Sequence, residues 1–87
     1  QENADPNVQH DLVTALGRIA PADAPYRHGE EGPDDMPGHI KAVVTGHAVD
    51  CLVAHGQLLL GQWQAIYLVE HRIAPHARTV WLHYTGS

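Results

Sequence analysis

The sequence contains a single cysteine, Cys51, and only five lysines and arginines among its 87 residues. One cysteine excludes an internal disulfide framework and is typical of a reducing compartment. Ten Asp and Glu residues leave a formal net charge of −5, which argues against nucleic acid as a partner. No apolar run approaches the roughly 20 residues of a membrane span, and no stretch resembles a signal peptide. We therefore expect a cytoplasmic protein that binds neither nucleic acid nor a membrane.

Methionine is equally scarce: Met36 is the only one, and the chain starts with Gln1. This indicates a processed chain or a fragment, and a chain of this length predicts one domain at most.

Histidine is abundant by comparison, since the eight histidines outnumber all lysines and arginines together. Such an excess indicates metal, acid–base or phosphate chemistry, or simply a surface rich in histidine.

Two short helices are predicted in the first half of the chain. Asp5 and Pro6 are typical of a helix start, and Pro21 ends that helix. Apolar residues recur between them at helical spacing and predict one buried stripe: Val8, Leu12, Ala15, Leu16 and Ile19. A second helix is predicted over residues 36–45, with Asp35 as its cap and Gly46 as its end.

Strands are predicted for the second half, at residues 49–53, 58–70 and 79–84, with a turn at His55-Gly56. The pattern therefore predicts an α+β fold, in which two short helices precede antiparallel β-strands. The middle strand is apolar on both faces, so both faces need to be covered. We expect part of that cover to come from another subunit or from additional sequence.

The segment most suited to chemistry is YRHGEEGPDDMPGHIK, residues 26–41, which places two histidines, four carboxylates and a lysine around a helix N-terminus. Backbone N–H groups and the helix dipole favour an anion there, and imidazoles with carboxylates are common metal ligands. Asp35 and His39 lie four residues apart and can form an oriented pair on one helix face. Lys41, two residues beyond His39, points elsewhere on a regular helix.

Each candidate also has a purely structural interpretation. Asp35 could be a helix cap, His39 a helix-end histidine, and Glu70 the partner of a salt bridge at a strand end. A carboxylate such as Glu70 on an apolar strand must find a partner, raise its pKa or reach solvent. The histidines that lack metal-ligand spacing are interpreted as surface residues: His10, His47, His55, His71, His76 and His83.

Four segments in order resemble the YjbQ-like family: NADPNVQHDL, YRHGEEGPDDMPGHIK, GQLLLGQWQAIYLVEHR and TVWLHYTG. The resemblance implies an α+β fold and a cytoplasmic homotrimer with polar sites near subunit boundaries. Members of that family are longer at the front, so residues 1–87 are expected to form a single domain without its N-terminal strands. They also carry a His-Thr-Ser-like segment before the point where this chain begins. The chain departs from the family pattern at Gln62, where threonine is usual, and at Ala65, where glycine is usual.

The resemblance implies a weak, secondary thiamine-phosphate synthase activity, which joins a pyrimidine pyrophosphate to a thiazole phosphate. The expected catalytic residues are His39, Asp35 and Glu70. The residues expected to bind a phosphate or another anion are Lys41, Arg27, Gln64 and Asn3. Zinc or another divalent metal is expected at His28 and His39. A metal-dependent hydrolase and a non-catalytic trimeric protein that binds an anion or a metal fit the same residues.

Overall fold

The computed structural model describes residues 1–86. Two α-helices, α1 (Pro6–Ile19) and α2 (Asp35–Thr45), precede a small antiparallel sheet of two strands, β1 (Val53–Ala54) and β2 (Gln57–Leu58). The chain is therefore α+β, as the sequence pattern predicts. Within residues 1–86, no helix is long and apolar enough to cross a membrane.

Helix α1 begins where the sequence predicts it. The Asp5 carboxylate accepts a hydrogen bond from the backbone N–H of Asn7 at 2.7 Å, and Pro6 occupies the first turn. An aspartate cap satisfies a backbone donor that has no partner within the helix, and proline has no donor to lose there. The predicted apolar stripe is only partly covered: Leu12 and Leu16 are half-buried, whereas Ile19 is exposed.

Helix α2 begins one residue earlier than expected, so the prediction that Asp35 caps it is wrong. Asp34 is the capping residue, and Asp35 is the first residue of the helix. The Asp34 carboxylate makes no capping bond and instead accepts the backbone N–H of Ile73 at 2.8 Å. Gly46 ends the helix as predicted, with a φ of 76° that a residue with a side chain rarely adopts.

The turn at His55 and Gly56 forms as predicted, with φ angles of 53° and 74°. Two consecutive positive φ angles suit a two-residue hairpin loop, and they place β1 against β2. The backbone N–H of Leu59 also bonds to the carbonyl of Leu52 at 2.8 Å, just beyond the ladder. The hairpin is thus shorter than the strands that the sequence predicts around it.

The other predicted strand regions, residues 59–70 and 79–84, join no ladder in the part of the chain that the structure describes. Apolar alternation produces a strand only where a neighbouring chain segment supplies hydrogen-bonding groups. The middle segment finds isolated partners at the front of the chain. Gln1 and Ala65 exchange backbone hydrogen bonds at 3.0 and 3.1 Å, and Ala4 donates to the carbonyl of Trp63 at 2.8 Å.

Little of the apolar surface is covered. Among residues 1–86, the buried positions are Ala20, Asp35, Pro37 and Gly38, three of them at the start of α2. In contrast, Trp81 is 90% exposed and Leu82 is 92% exposed. Burial in the described chain is therefore concentrated at the N-terminal turn of α2.

Candidate metal centre

Asp35 is the centre of a cluster of charged side chains, and its own side chain is completely buried. Its Oδ2 atom accepts the backbone N–H of Glu31 at 3.1 Å and lies 3.0 Å from Nε2 of His28. Its Oδ1 atom lies 3.2 Å from Nε2 of His39 and 3.3 Å from Nη1 of Arg72. A buried carboxylate is tolerable only with such partners, because desolvation penalises an isolated charge.

Local structure explains why two imidazoles meet at this carboxylate. His39 lies one helical turn after Asp35, so both side chains project from the same face of α2. His28 belongs to the loop before the helix, where a hydrogen bond from Gly32 N–H to the Gly29 carbonyl, 3.1 Å long, forms a turn. The two imidazole rings stand edge to face, with their centroids 5.2 Å apart.

The Oδ1 atom of Asp35 is buried without a hydrogen bond among the described residues. Its neighbours His39 and Arg72 lie within ion-pair distance, at 3.2 and 3.3 Å. Buried acceptors of this kind are rare in folded proteins, and leaving one unsatisfied is costly. An ionised carboxylate oxygen beside an imidazole nitrogen is a pair of ligand atoms that zinc accepts.

The donor set and its spacing suit a divalent metal ion. One nitrogen each from His28 and His39 and one oxygen from Asp35 all lie within 4.8 Å of one another. Bonds of 2.0–2.2 Å in a tetrahedral zinc site put ligand atoms about 3.3 Å apart. His39 lies 3.2 Å from Oδ1 and His28 lies 3.0 Å from Oδ2, so each imidazole is near that spacing from a different oxygen of the carboxylate. Histidine nitrogen with carboxylate oxygen is a set that zinc accepts readily.

The carboxyl group of Asp35 is held in its charged form. Burial raises the pKa of Asp35, but the hydrogen bond from the Glu31 backbone and the charges of His28 and Arg72 outweigh that effect. The net pKa lies below the ordinary value for aspartate. The cluster therefore presents an ionised ligand at neutral pH, as metal binding requires.

Arg72 is a residue of this site that the sequence pattern did not single out. Its guanidinium reaches Asp35 and also contacts Oε2 of Glu31 at 3.2 Å. It passes directly over Gly38, where a Cβ atom would lie only 2.7 Å from Nε of Arg72. A glycine inside a helix marks a close approach, and this was the signal available in the sequence. The identity of the approaching side chain, however, depends on the tertiary fold.

Glu70 forms an ion pair rather than facing Asp35. Its carboxylate accepts two hydrogen bonds from the guanidinium of Arg78, both 2.7 Å long, and a third from the backbone N–H of Arg72 at 3.0 Å. These bonds, that from Arg78 foremost, lower the pKa of Glu70 to about 2. Glu70, Arg72, Arg78 and His39 line one open cleft of about 250 Å³.

The remaining predicted binding residues lie apart from the cluster, and none makes a hydrogen bond or ion pair with Asp35 within residues 1–86. Oε1 of Gln64 accepts the backbone N–H of Gly61, and Oδ1 of Asn3 accepts that of Asp5 at 2.8 Å. Arg27 is exposed. Lys41 is half-buried near His71, whose pKa is lowered by burial and by the charge of Lys41.

Comparison with known proteins identifies the family to which the chain belongs. The chain is a member of the family described as UPF0047 protein YjbQ-like, whose family model matches residues 1–87. It is 45% identical over 88 residues to a UPF0047 protein of Synechocystis sp., an alignment that covers 100% of this chain and 60% of the relative. It is 47% identical over 72 residues to the UPF0047 protein YjbQ of Salmonella typhimurium, covering 83% of this chain and 52% of the relative.

A more distant relative, the UPF0047 protein YugU of Bacillus subtilis, is 32% identical over 85 residues, covering 98% of this chain and 62% of the relative. The chain thus spans between about half and three fifths of the length of these relatives. No solved structure matches the chain. The resemblance that the sequence motifs indicate is therefore confirmed at the level of the family.

Proposed function

We propose that His28, Asp35 and His39 bind a divalent metal ion, with zinc as the first candidate, at a site that handles a small phosphorylated molecule. The observation that carries this proposal is Oδ1 of Asp35, a buried acceptor without a hydrogen bond that lies 3.2 Å from an imidazole nitrogen. A bound metal would satisfy that oxygen and both histidines together. It would also supply Lewis-acid stabilisation of charge on phosphate oxygens.

The surroundings of the cluster support an anionic ligand. Arg72 and Arg78 line the same cleft as His39, next to the first turn of α2. Guanidinium groups bind phosphate through paired N–H donors, and helix N-termini favour negative charge. Lys41 and Arg27 do not line this cleft, and a role for them in binding the anion rests on the family resemblance alone.

The reaction we propose is the secondary thiamine-phosphate synthase reaction, in which a thiazole nitrogen displaces pyrophosphate from a pyrimidine pyrophosphate. Such a displacement depends mainly on neutralising the departing phosphates. His39 cannot both bind a metal and transfer a proton through Nε2, so its role here is that of a ligand. Glu70, with a pKa of about 2, is too weak a base for proton removal and instead positions Arg78 in the cleft.

A second candidate function is a non-catalytic homotrimer that uses the same metal or anion site. The observation that favours it is the extent of uncovered apolar surface at Trp81, Leu82 and their neighbours. A surface of this kind is covered in a stable protein by another chain or by further sequence. The two candidates share the site and differ in whether the bound molecule is converted.

The first prediction concerns the metal. Zinc titrated into the metal-free protein in a calorimeter should bind at one site per chain. His39→Ala and His28→Ala should each weaken binding by about 100-fold or more, since loss of an outer-shell partner already costs roughly 10- to 100-fold. His10→Ala is the matched control, because His10 also lies 3.3 Å from an aspartate, but on an exposed surface.

Equal zinc affinity in His39→Ala and the wild type would contradict the metal site. A second measurement separates the two candidate functions. The zinc-loaded protein is incubated with the pyrimidine pyrophosphate and the thiazole phosphate, and thiamine phosphate is measured. Product formation that is lost in His39→Ala supports the enzyme, whereas zinc binding without product supports the non-catalytic protein.

A further inference from the structure

We infer that the positive charge of Arg72 neutralises Asp35 when no metal is bound. Metal binding and the Arg72–Asp35 contact then exclude one another. This inference rests on the proposed metal site and adds a residue that controls how tightly the site binds. Nη1 of Arg72 lies 3.3 Å from the same Oδ1 atom that faces His39. Arg72 is therefore placed to neutralise Asp35 when no metal does so.

Charge makes the two occupants incompatible. A metal bound to Oδ1 would lie about 2.0–2.2 Å from that oxygen. The guanidinium on the same oxygen keeps its positive charge at all relevant pH values and has no lone pair to offer as a ligand. Two cations at one carboxylate oxygen repel strongly at such short range, particularly away from solvent. We therefore expect the guanidinium to withdraw from Oδ1 when a metal binds there.

The structure provides for that withdrawal. Nη1 of Arg72 already contacts Oε2 of Glu31 at 3.2 Å, and the Glu31 side chain is 73% exposed. Arg72 can therefore leave Asp35 and keep one carboxylate partner nearer the solvent. Its main chain stays fixed meanwhile, because the next residue, Ile73, donates its backbone N–H to Asp34 at 2.8 Å. The exchange needs only rotation of the arginine side chain.

Gly38 provides a second and independent way to test the contact. The guanidinium end of Arg72 lies against this glycine, and a Cβ atom there would be 2.7 Å from Nε and 3.2 Å from Cζ. Gly38→Ala should therefore push the guanidinium away from Asp35 without changing any charge. Alanine has the highest helix propensity of all residues, so the substitution within α2 should preserve the helix.

The experiment is a zinc titration of the wild type, Arg72→Met and Gly38→Ala, with folding checked by far-ultraviolet circular dichroism. Removing or displacing the cation relieves repulsion of the metal and leaves the metal-free Asp35 without its counter-ion. Both effects favour zinc, and we expect each variant to bind it on the order of tenfold more tightly. Arg18→Met is the control, because it removes the same charge from an exposed position on α1 that does not line the cleft.

The outcomes separate this inference from the proposed function. The inference is overturned, and the metal site is retained, if the wild type binds zinc and both Arg72→Met and Gly38→Ala bind it equally tightly or more weakly. Zinc binding that appears only in these two variants supports it, since the arginine would then block the site. An equal gain in Arg18→Met would show a general charge effect and overturn it. If no protein binds zinc, the metal site and the inference both fail.

Discussion

Asp35 is a charged side chain at a position that solvent does not reach, and its neighbours explain how the chain tolerates it. One backbone N–H, two imidazoles and one guanidinium surround its two oxygens. Removing one partner from a buried charge is usually far more damaging than removing an exposed charge. Removing a partner of Asp35 is therefore expected to lower the stability of the metal-free chain.

Glu70 is the opposite case, a charged residue whose partner lies at the surface. Its ordinary pKa of 4.5 falls to about 2 in the folded chain, chiefly through the hydrogen bonds from Arg78. Because the folded pKa is depressed, the ion pair stabilises the fold above about pH 4.5. That stabilisation is lost as the pH falls from about 4.5 through about 2.

The corresponding prediction is a direct titration. In carbon-13 NMR, the carboxyl carbon of Glu70 should titrate with a midpoint near 2, and in Arg78→Met the midpoint should return toward 4.5. The matched control is Arg18→Met on α1, which should leave the Glu70 midpoint in place. A wild-type midpoint near 4.5 would mean that the bidentate pair does not form in solution.

At the scale of single elements, residues at the helix ends determine where the helices begin and end. Asp5 and Pro6 define the start of α1, and Gly46 ends α2 with a positive φ. Both ends are set locally: the Asp5 carboxylate accepts a backbone N–H two residues away, and Gly46 adopts a φ that ends the helix. They explain why the bounds of α1 and the end of α2 could be predicted from the sequence. The start of α2 was missed by one residue because Asp34 and Asp35 both suit a cap, and only the buried contacts distinguish them.

The prediction at this scale concerns the cap of α1. Asp5→Ala removes the 2.7 Å hydrogen bond to the Asn7 backbone and should lower the free energy of unfolding by about 1 kcal/mol. Urea denaturation followed by circular dichroism at 222 nm measures this change. Asp5→Asn retains an acceptor and should lose much less, while Asp11→Ala, within the same helix, should lose none. Equal stability of Asp5→Ala and the wild type would show that the cap contributes nothing.

At the scale of the whole molecule, the main feature is the apolar surface that the described chain leaves open. Residues 58–70 and 79–84 carry the strand pattern, yet side chains such as Leu68, Trp81 and Leu82 are exposed. A strand pattern indicates where a segment prefers to pair, but pairing requires a partner segment. The chain spans 52–62% of the length of the relatives compared above, so their whole length contains more sequence than the structure describes.

The last prediction tests the proposed trimer. Sedimentation equilibrium of the protein should give three times the chain mass of 9.5 kDa. Leu82→Lys puts a charge into the 79–84 segment and should shift the mass toward the monomer, because a lysine is costly to bury at an apolar contact. Val13→Lys, an exposed apolar position on α1, serves as the control. A monomer at every concentration would contradict the trimer.

The sequence by itself determined the α+β class, the first helix, the end of the second helix, the hairpin turn and the Asp35–His39 pair. Each depends on residues within a few positions of one another, where backbone geometry dictates the contact. Only the tertiary structure decided that Arg72 reaches Asp35 and Glu31, that Ile73 donates to Asp34, and that the later strand segments, within residues 1–86, join no sheet ladder. The side-chain contacts join residues 37 to 41 positions apart, and a sheet ladder requires a partner segment; a local pattern carries no information about either.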